Sequence, residues 1–228
     1  MKALLLDLDD TLLDYSGGVD LCWEHACLTA APSVERARLL EALLEARRWF
    51  WSDPVRHRRE RVDMLRAWTQ IAADALARCD GDPRHAAPLA EAYAARRRAA
   101  MRLFPDALDL LERLRARGVP LGLVTNGDAR QQRDKIERHG LARFFDAIVV
   151  EGEFGAGKPD EVVYRAALDR IGVRPADAWM VGDHLEFDVD GPQRVGVQGV
   201  WLDREGLGLP AGSAVRPARI IRSLRELT

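Results

Sequence analysis

The sequence predicts an α/β fold, a doubly wound parallel sheet interrupted after its first strand by an all-helical insertion. Three observations carry this. Short apolar runs recur at 3–8 (ALLLDL), 119–124 (VPLGLV), 146–150 (DAIVV), 178–182 (AWMVG) and 198–202 (QGVWL), as strands buried on both faces do. Segments with helical patterning separate these runs. Between residues 15 and 103 there is no such run, and segments rich in Ala, Arg, Leu and Glu take over.

The first run ends in acidic residues and closes the first piece of the sheet domain, residues 1–14. Tyr15-Ser16-Gly17-Gly18 reads as a flexible lead-in to the insertion, which spans 15–103. Within it, Ser33 is placed to cap a helix running through Trp51, and Asp53-Pro54 and Asp82-Pro83 each set an N-cap residue before a first-turn proline. Phe104-Pro105 returns the chain to the sheet domain, which resumes over 104–228. Pro105 opens a helix over 106–117 and Gly118 closes it, Gly140 closes 128–139, and Pro159 opens 159–171, which Gly172 ends. Asp128 opens the second of these, where a negative residue complements the helix dipole. The sequence has no internal repeat and no low-complexity linker.

At 228 residues and 47% hydrophobic composition, the chain suffices for one α/β core with an accessory module and is short for two ordinary domains. No apolar stretch reaches the roughly eighteen residues of a membrane span. Carboxylates at Asp7, Asp9 and Asp10 interrupt the N-terminal apolar run, unlike a signal peptide, so a cytoplasmic protein is expected. Cys22, Cys27 and Cys79 lack metal-ligand spacing and cannot all pair, which suggests neither a zinc site nor a disulfide framework. A net charge of −2 gives no reason to expect nucleic acid or a membrane as partner, and leaves the oligomeric state open. Residues 15–103 hold fifteen arginines and no lysine against twelve acidic residues, so the insertion is mildly basic and the remainder acidic. That suits an anionic substrate, and an ordinary solvated helix surface accounts for it equally well.

In an open parallel sheet, ligands bind beyond the carboxyl ends of the strands. The chemically suggestive residues all fall there. Asp7, Asp9 and Thr11 follow the first strand as D-L-D-D-T, Thr125-Asn126-Gly127-Asp128 follows the second, Gly157-Lys158-Pro159 lies between the third and fourth, and Gly182-Asp183 ends the fourth, with Asp188 five residues on. Lysine is scarce, with Lys2, Lys135 and Lys158 the only three among thirty-four basic residues, which makes Gly-Lys-Pro less easily a chance match. Together the four clusters resemble the four motifs of the haloacid dehalogenase (HAD) superfamily across the whole sheet domain. The insertion resembles that superfamily's helical C1-type cap, so the expected architecture is a HAD-like, Rossmann-like core carrying an all-α cap.

The chemistry explains why these residue types are needed. A phosphate ester repels an attacking anion, so its site must supply a metal and cationic donors. Asp7 can attack phosphorus to give an aspartyl-phosphate, and Asp9 can protonate the leaving alkoxide and later deprotonate water. Mg²⁺ takes hard oxygen ligands, for which Asp7, the Asp9 carbonyl and Asp183 serve. The resemblance supports that set, with Thr11 and Asp188 orienting it from outside. It also implies that the Thr125 hydroxyl and Asn126 amide donate to phosphoryl oxygens while Lys158 offsets the carboxylates. His184 suits a surface or hydrogen-bonding role better than a hard-oxygen site, and Asp10, Glu186 and Asp190 read as capping or solvated residues.

The segments L-V-T-N-G-D-A-R-Q-Q-R-D-K-I-E, F-F-D-A-I-V-V and M-V-G-D-H-L-E-F-D-V are similar to those of N-acylneuraminate-9-phosphatases and related nucleoside-monophosphate phosphatases. The implied substrate is a small phosphorylated metabolite, a sugar phosphate ahead of a nucleotide. Specificity is expected in the cap, where Arg56, His57 and Arg58 follow the aromatic run Trp49-Phe50-Trp51 and Trp23-Glu24-His25 forms a second polar-aromatic group. For most of these residues the simpler reading is aromatic packing inside the cap with solvated arginines. Rival functions are a 2-haloacid dehalogenase, a phosphomutase and a non-catalytic phosphate-binding module. Asp9 and Gly182-Asp183 argue against the first, and the last would not need every reactive position.

Overall fold

Strand β1 (Ala3–Leu6) is apolar at every position because both its faces are covered, and all four residues are buried. In chain order it is followed by β2 (Leu13–Asp14), β3 (Arg102–Leu103), β4 (Leu121–Thr125), β5 (Ala147–Val150), β6 (Ala178–Gly182), β7 (Gln198–Leu202) and β8 (Arg219–Ile221). Six of these form a single parallel sheet in the order β5-β4-β1-β6-β7-β8. The strand order reverses at β1, which pairs with β4 on one side and β6 on the other. That is the switch point at which a doubly wound sheet opens a crevice beyond its strand ends.

The computed structural model describes residues 2–227. They fall into two compact units, one comprising the residues up to Tyr15 with those from Arg102 onward, the other Ser16–Met101. In the first unit, Ala3 and Leu5 pack with Val124, Val149, Val163, Tyr164 and Ala167 on one face of the sheet. By the two-residue alternation of a strand, Leu4 and Leu6 point to the other face, where they are equally inaccessible.

The second unit is helical, with α1 (Val19–Ala30), α2 (Arg36–Ser52), α3 (Pro54–Glu60), α4 (Met64–Arg78) and α5 (Ala86–Ala100). Its core gathers Trp23, Leu39, Phe50, Trp68, Ile71 and Tyr93 together with the three free cysteines. Trp23 stacks on Tyr93 at 3.9 Å between ring centres, and Trp68 meets the same ring edge-on at 5.1 Å. Among the described residues no helix is long and apolar enough to cross a membrane.

Several element ends differ from expectation. Helix α2 is capped by Glu35, whose carboxylate accepts from the Ala37 and Arg38 amides, and not by Ser33. Asp53 caps α3 as its Asp-Pro pair predicts, whereas Asp82-Pro83 opens a short 3₁₀ turn ahead of α5. Helix α6 (Pro105–Ala116) starts at its proline and ends before Gly118. The Val119 amide still bonds to Leu114 in that helix end, so β4 begins two residues later than the apolar run. Pro159 opens no helix. The Lys158–Pro159 peptide is cis, Asp160 keeps an extended backbone, and the next helix starts at Glu161. The ribbon β2-β3 and the edge strand β8 have no counterpart among the expected strands. Two- and three-residue strands carry no periodicity to read.

Candidate active site

Asp7 stands just past β1, its amide bonded to the Val181 carbonyl at 3.0 Å so that the ladder to β6 holds its backbone. One carboxylate oxygen accepts from the Lys158 ammonium at 2.6 Å and the other from the Thr11 hydroxyl at 3.3 Å. Lys158 reaches Asp188 as well, at 2.7 Å, and the second Asp188 oxygen accepts from the His184 amide at 3.0 Å. Asp188 rides on a π-turn over Leu185–Asp190 that folds back over the end of β6. Glycine is required at 182, since a Cβ there would collide with the Asp188 carboxylate. The Trp201 indole donates to the Asp183 carbonyl at 2.7 Å, holding that residue beside the cluster.

Oxygens of Asp7, Asp183 and Asp188 all lie within 4.8 Å of one another, against one buried ammonium. Burial, offset in part by Lys158, pushes the Asp7 carboxyl up to about 7. Asp183 is pushed up to about 8, first by burial and then by Asp7 and Asp188, and its carboxylate has no hydrogen-bond or ion-pair partner among the described residues. Burial alone would lower Lys158, but Asp188 and Asp7 raise it well above the ordinary lysine value. Three converging carboxylates, one of them without a protein partner among the described residues, make a hard-oxygen donor set that fits a divalent cation such as Mg²⁺. Asp7 and Asp183 could hold such a cation, Asp7 by giving up its long 3.3 Å bond from Thr11, whereas both Asp188 oxygens are held more closely, at 2.7 and 3.0 Å, which suits an orienting role.

The second cluster is built from β4 and the helix after it. Thr125 ends β4, and Asp128 caps α7 (Ala129–Arg138) by accepting from the Gln131 amide. The first turn of α7 is thereby set directly behind the Thr-Asn-Gly turn. Asn126 has a structural task whatever else it donates to. Its amide nitrogen donates to the Lys158 carbonyl at 2.8 Å and its oxygen accepts from the Lys158 amide at 2.7 Å, so the side chain straps the lysine loop in place. Glu151, in α8 (Glu151–Phe154), accepts from the Gly127 amide at 2.8 Å and fixes the same turn from behind.

Asp9 carries the contact that sequence reasoning missed. Both its carboxylate oxygens accept from Lys135, at 2.9 and 2.7 Å, and one also accepts from Gln132 at 3.0 Å. Gln132 further donates to the Thr125 hydroxyl oxygen at 2.6 Å. Asp7, Asp9, Thr11, Thr125, Asn126, Lys158, Asp183 and Asp188 are thus brought together in one unit with Gln132, Lys135 and Glu151 added. A signal for Lys135 was present, since it too is one of three lysines in an arginine-rich chain.

The insertion candidates lie in the other unit. The Arg56 guanidinium sits 4.0 Å over the Trp49 ring and donates to the Trp49 and Phe50 carbonyls, closing the corner between α2 and α3 instead of standing free for a substrate. His57 meets Trp51 edge-on, Arg58 is exposed, and Trp23 is buried in the helical core. His184 caps the π-turn and stacks on Phe187 at 3.9 Å, the hydrogen-bonding role expected of it.

Comparison with known proteins agrees with this geometry. The chain is 36% identical to a phosphoserine phosphatase of Thermus thermophilus, with all of this chain and 98% of that one aligned. It is 41% identical to the N-acylneuraminate-9-phosphatase of Rattus norvegicus over 56% of this chain and 51% of that protein. Among solved structures, the magnesium-bound HAD-hydrolase YfnB of Bacillus subtilis shares the fold with a TM-score of 0.78 at 23% identity, covering 99% of this chain and 96% of its own. Residues 1–196 match the model of the haloacid dehalogenase-like hydrolases, and the chain belongs to that family.

Proposed function

We propose that the protein is a Mg²⁺-dependent phosphatase that hydrolyses a small phosphate monoester through an aspartyl-phosphate on Asp7. The observation that carries this reading is the buried Asp7 carboxylate, which shares one lysine with Asp188 and lies beside the half-buried Asp183 carboxylate. Asp7, the Asp9 carbonyl and Asp183 would hold the cation, which would supply positive charge to the phosphoryl oxygens.

The chain's own residues do the remainder. Asp7 forms the new bond to phosphorus as the bond to the leaving oxygen breaks, and Asp9 gives that oxygen its proton. In the second step Asp9 takes a proton from the attacking water and Asp7 is regenerated. Thr125 donates its hydroxyl hydrogen to a phosphoryl oxygen, and Lys158 holds Asp7 in one rotamer while offsetting its charge. A 2-haloacid dehalogenase would use Asp7 in the same way but would have no work for Asp9 or for the carboxylate cluster.

The likeness to a phosphoserine phosphatase runs the length of the chain, insertion included, and therefore bears more on the substrate than one confined to half of it. It supports adding a phosphorylated hydroxy amino acid to sugar phosphates and nucleotides in the substrate class. The purified protein is expected to release phosphate from p-nitrophenyl phosphate with Mg²⁺, and a panel of those three classes should rank the natural substrate. Activity on 2-haloacids with none on any phosphate would overturn the reading.

Gly182 offers a test that touches no reacting group. Alanine there must displace the Asp188 carboxylate, and with it Lys158. Turnover of p-nitrophenyl phosphate is expected to fall about a hundredfold in the folded variant. Near wild-type rates would show that Asp188 has no part in placing Lys158.

A further inference from the structure

We infer that Gln132 and Lys135 are positioning residues of this reaction, Lys135 fixing the Asp9 carboxylate and Gln132 coupling it to the Thr125 hydroxyl. The inference rests on the acid/base reading of Asp9 given above. Residues 132 and 135 are one turn apart on α7 and share a face, which the Asp128 cap sets against the end of β4. Both are buried, Lys135 with 4% of its surface exposed. A buried ammonium is costly unless its donors are matched. Here three are, by the two Asp9 oxygens and by the Gln132 carbonyl at 2.6 Å, while the Tyr15 ring lies 4.2 Å from the nitrogen.

Lysine in place of arginine fits this geometry. The ammonium can converge three hydrogens on partners around one atom, whereas a planar guanidinium spreads its five donors along a fork. Lys135 fixes the Gln132 amide in turn. Because the amide oxygen accepts from Lys135, its nitrogen must face Asp9 and Thr125, and it donates to both. The Thr125 oxygen is then an acceptor within the protein, and its own hydrogen is held only by a long 3.4 Å bond to the Asn126 carbonyl, from which a phosphoryl oxygen can take it. One glutamine thus ties the proton-transfer carboxylate to the phosphate-binding hydroxyl.

A residue that acts through Asp9 matters most where the leaving group most needs a proton. Phenyl phosphate and p-nitrophenyl phosphate have nearly the same shape but differ in the basicity of the phenol released. For both, kcat/KM covers the steps through departure of that phenol. With Mg²⁺, K135M is expected to lose at least about tenfold more in kcat/KM on phenyl phosphate than on p-nitrophenyl phosphate, with K135R recovering part of the loss. Adding K135M to D9N should cost nothing further. Equal losses on the two substrates, or additive losses in the double variant, would overturn the inference.

D9N separates the two levels. If it shows no preference between the substrates, the acid/base reading fails and the inference with it. If D9N shows the preference and K135M does not, the inference fails alone. Circular dichroism and thermal unfolding establish that each variant is folded. Should K135M not fold, Q132L carries the test, with the same preference expected and a raised KM from the unfixed Thr125 hydroxyl. Q132L without the preference, or with an unchanged KM, counts against the inference.

Discussion

Replacing Asp7 with asparagine is expected to lower p-nitrophenyl phosphate turnover at least about a thousandfold, the scale on which loss of a covalent nucleophile is felt. Asparagine has nearly the same shape and keeps a carbonyl oxygen to accept from Lys158, which retains its second partner Asp188. The sheet around it is closed by apolar packing of β1 that does not involve the carboxylate. The variant should therefore fold and still bind a divalent cation more weakly through Asp183, while no phosphorus–oxygen bond can form at an amide with comparable ease. Retention of a tenth of wild-type turnover in the folded variant would remove Asp7 from the nucleophile role.

Chelation is expected to abolish turnover as completely, and its effect on stability should depend on pH in a definite direction. Burial and neighbouring carboxylates push Asp7 up to about 7 and Asp183 up to about 8, against an unfolded value near 3.8. Between about pH 4 and 8 the metal-free native state therefore binds more protons than the unfolded chain, and stability falls as pH rises through that window. A cation reverses this by favouring the ionised forms, so binding releases protons and tightens with pH.

At pH 8 and a Mg²⁺ concentration about a hundred times Kd, the stabilisation should be roughly 2.7 kcal/mol. For a chain of this size that raises Tm by about 5–10 °C. The rise should shrink towards pH 5, where protons compete for the same carboxylates. Thermal unfolding with EDTA and with Mg²⁺ at the two pH values measures both effects. Undiminished turnover in EDTA, or a Mg²⁺ stabilisation larger at pH 5 than at pH 8, would contradict this assignment.

Much of the site was legible in the sequence because its residues sit at the ends of strands, and strands buried on both faces announce themselves as apolar runs. Asp7, Thr125 and Asp183 each follow such a run directly, and a parallel sheet brings strand ends together whatever the intervening sequence. Gln132 and Lys135 follow no run. They lie on a helix whose polar composition reads as a solvated surface, and only the docking of α7 turns that face onto Asp9. Asn126 shows the converse, a residue picked out by its motif whose side chain also straps the backbone of Lys158.

The sequence by itself determined the parallel sheet, the helical insertion, the set of carboxylates and the lysine that must offset them. These follow from local pattern and from residue chemistry, which travel with the chain. Only the tertiary structure decided which carboxylate takes which partner: Asp7 and Asp188 share Lys158, Asp9 is held by Lys135, and Asp183 has no partner among the described residues. The reason is physical. Hydrogen bonds and ion pairs act over about 3 Å, and between residues as far apart in sequence as Asp9 and Lys135 that distance is set by packing alone.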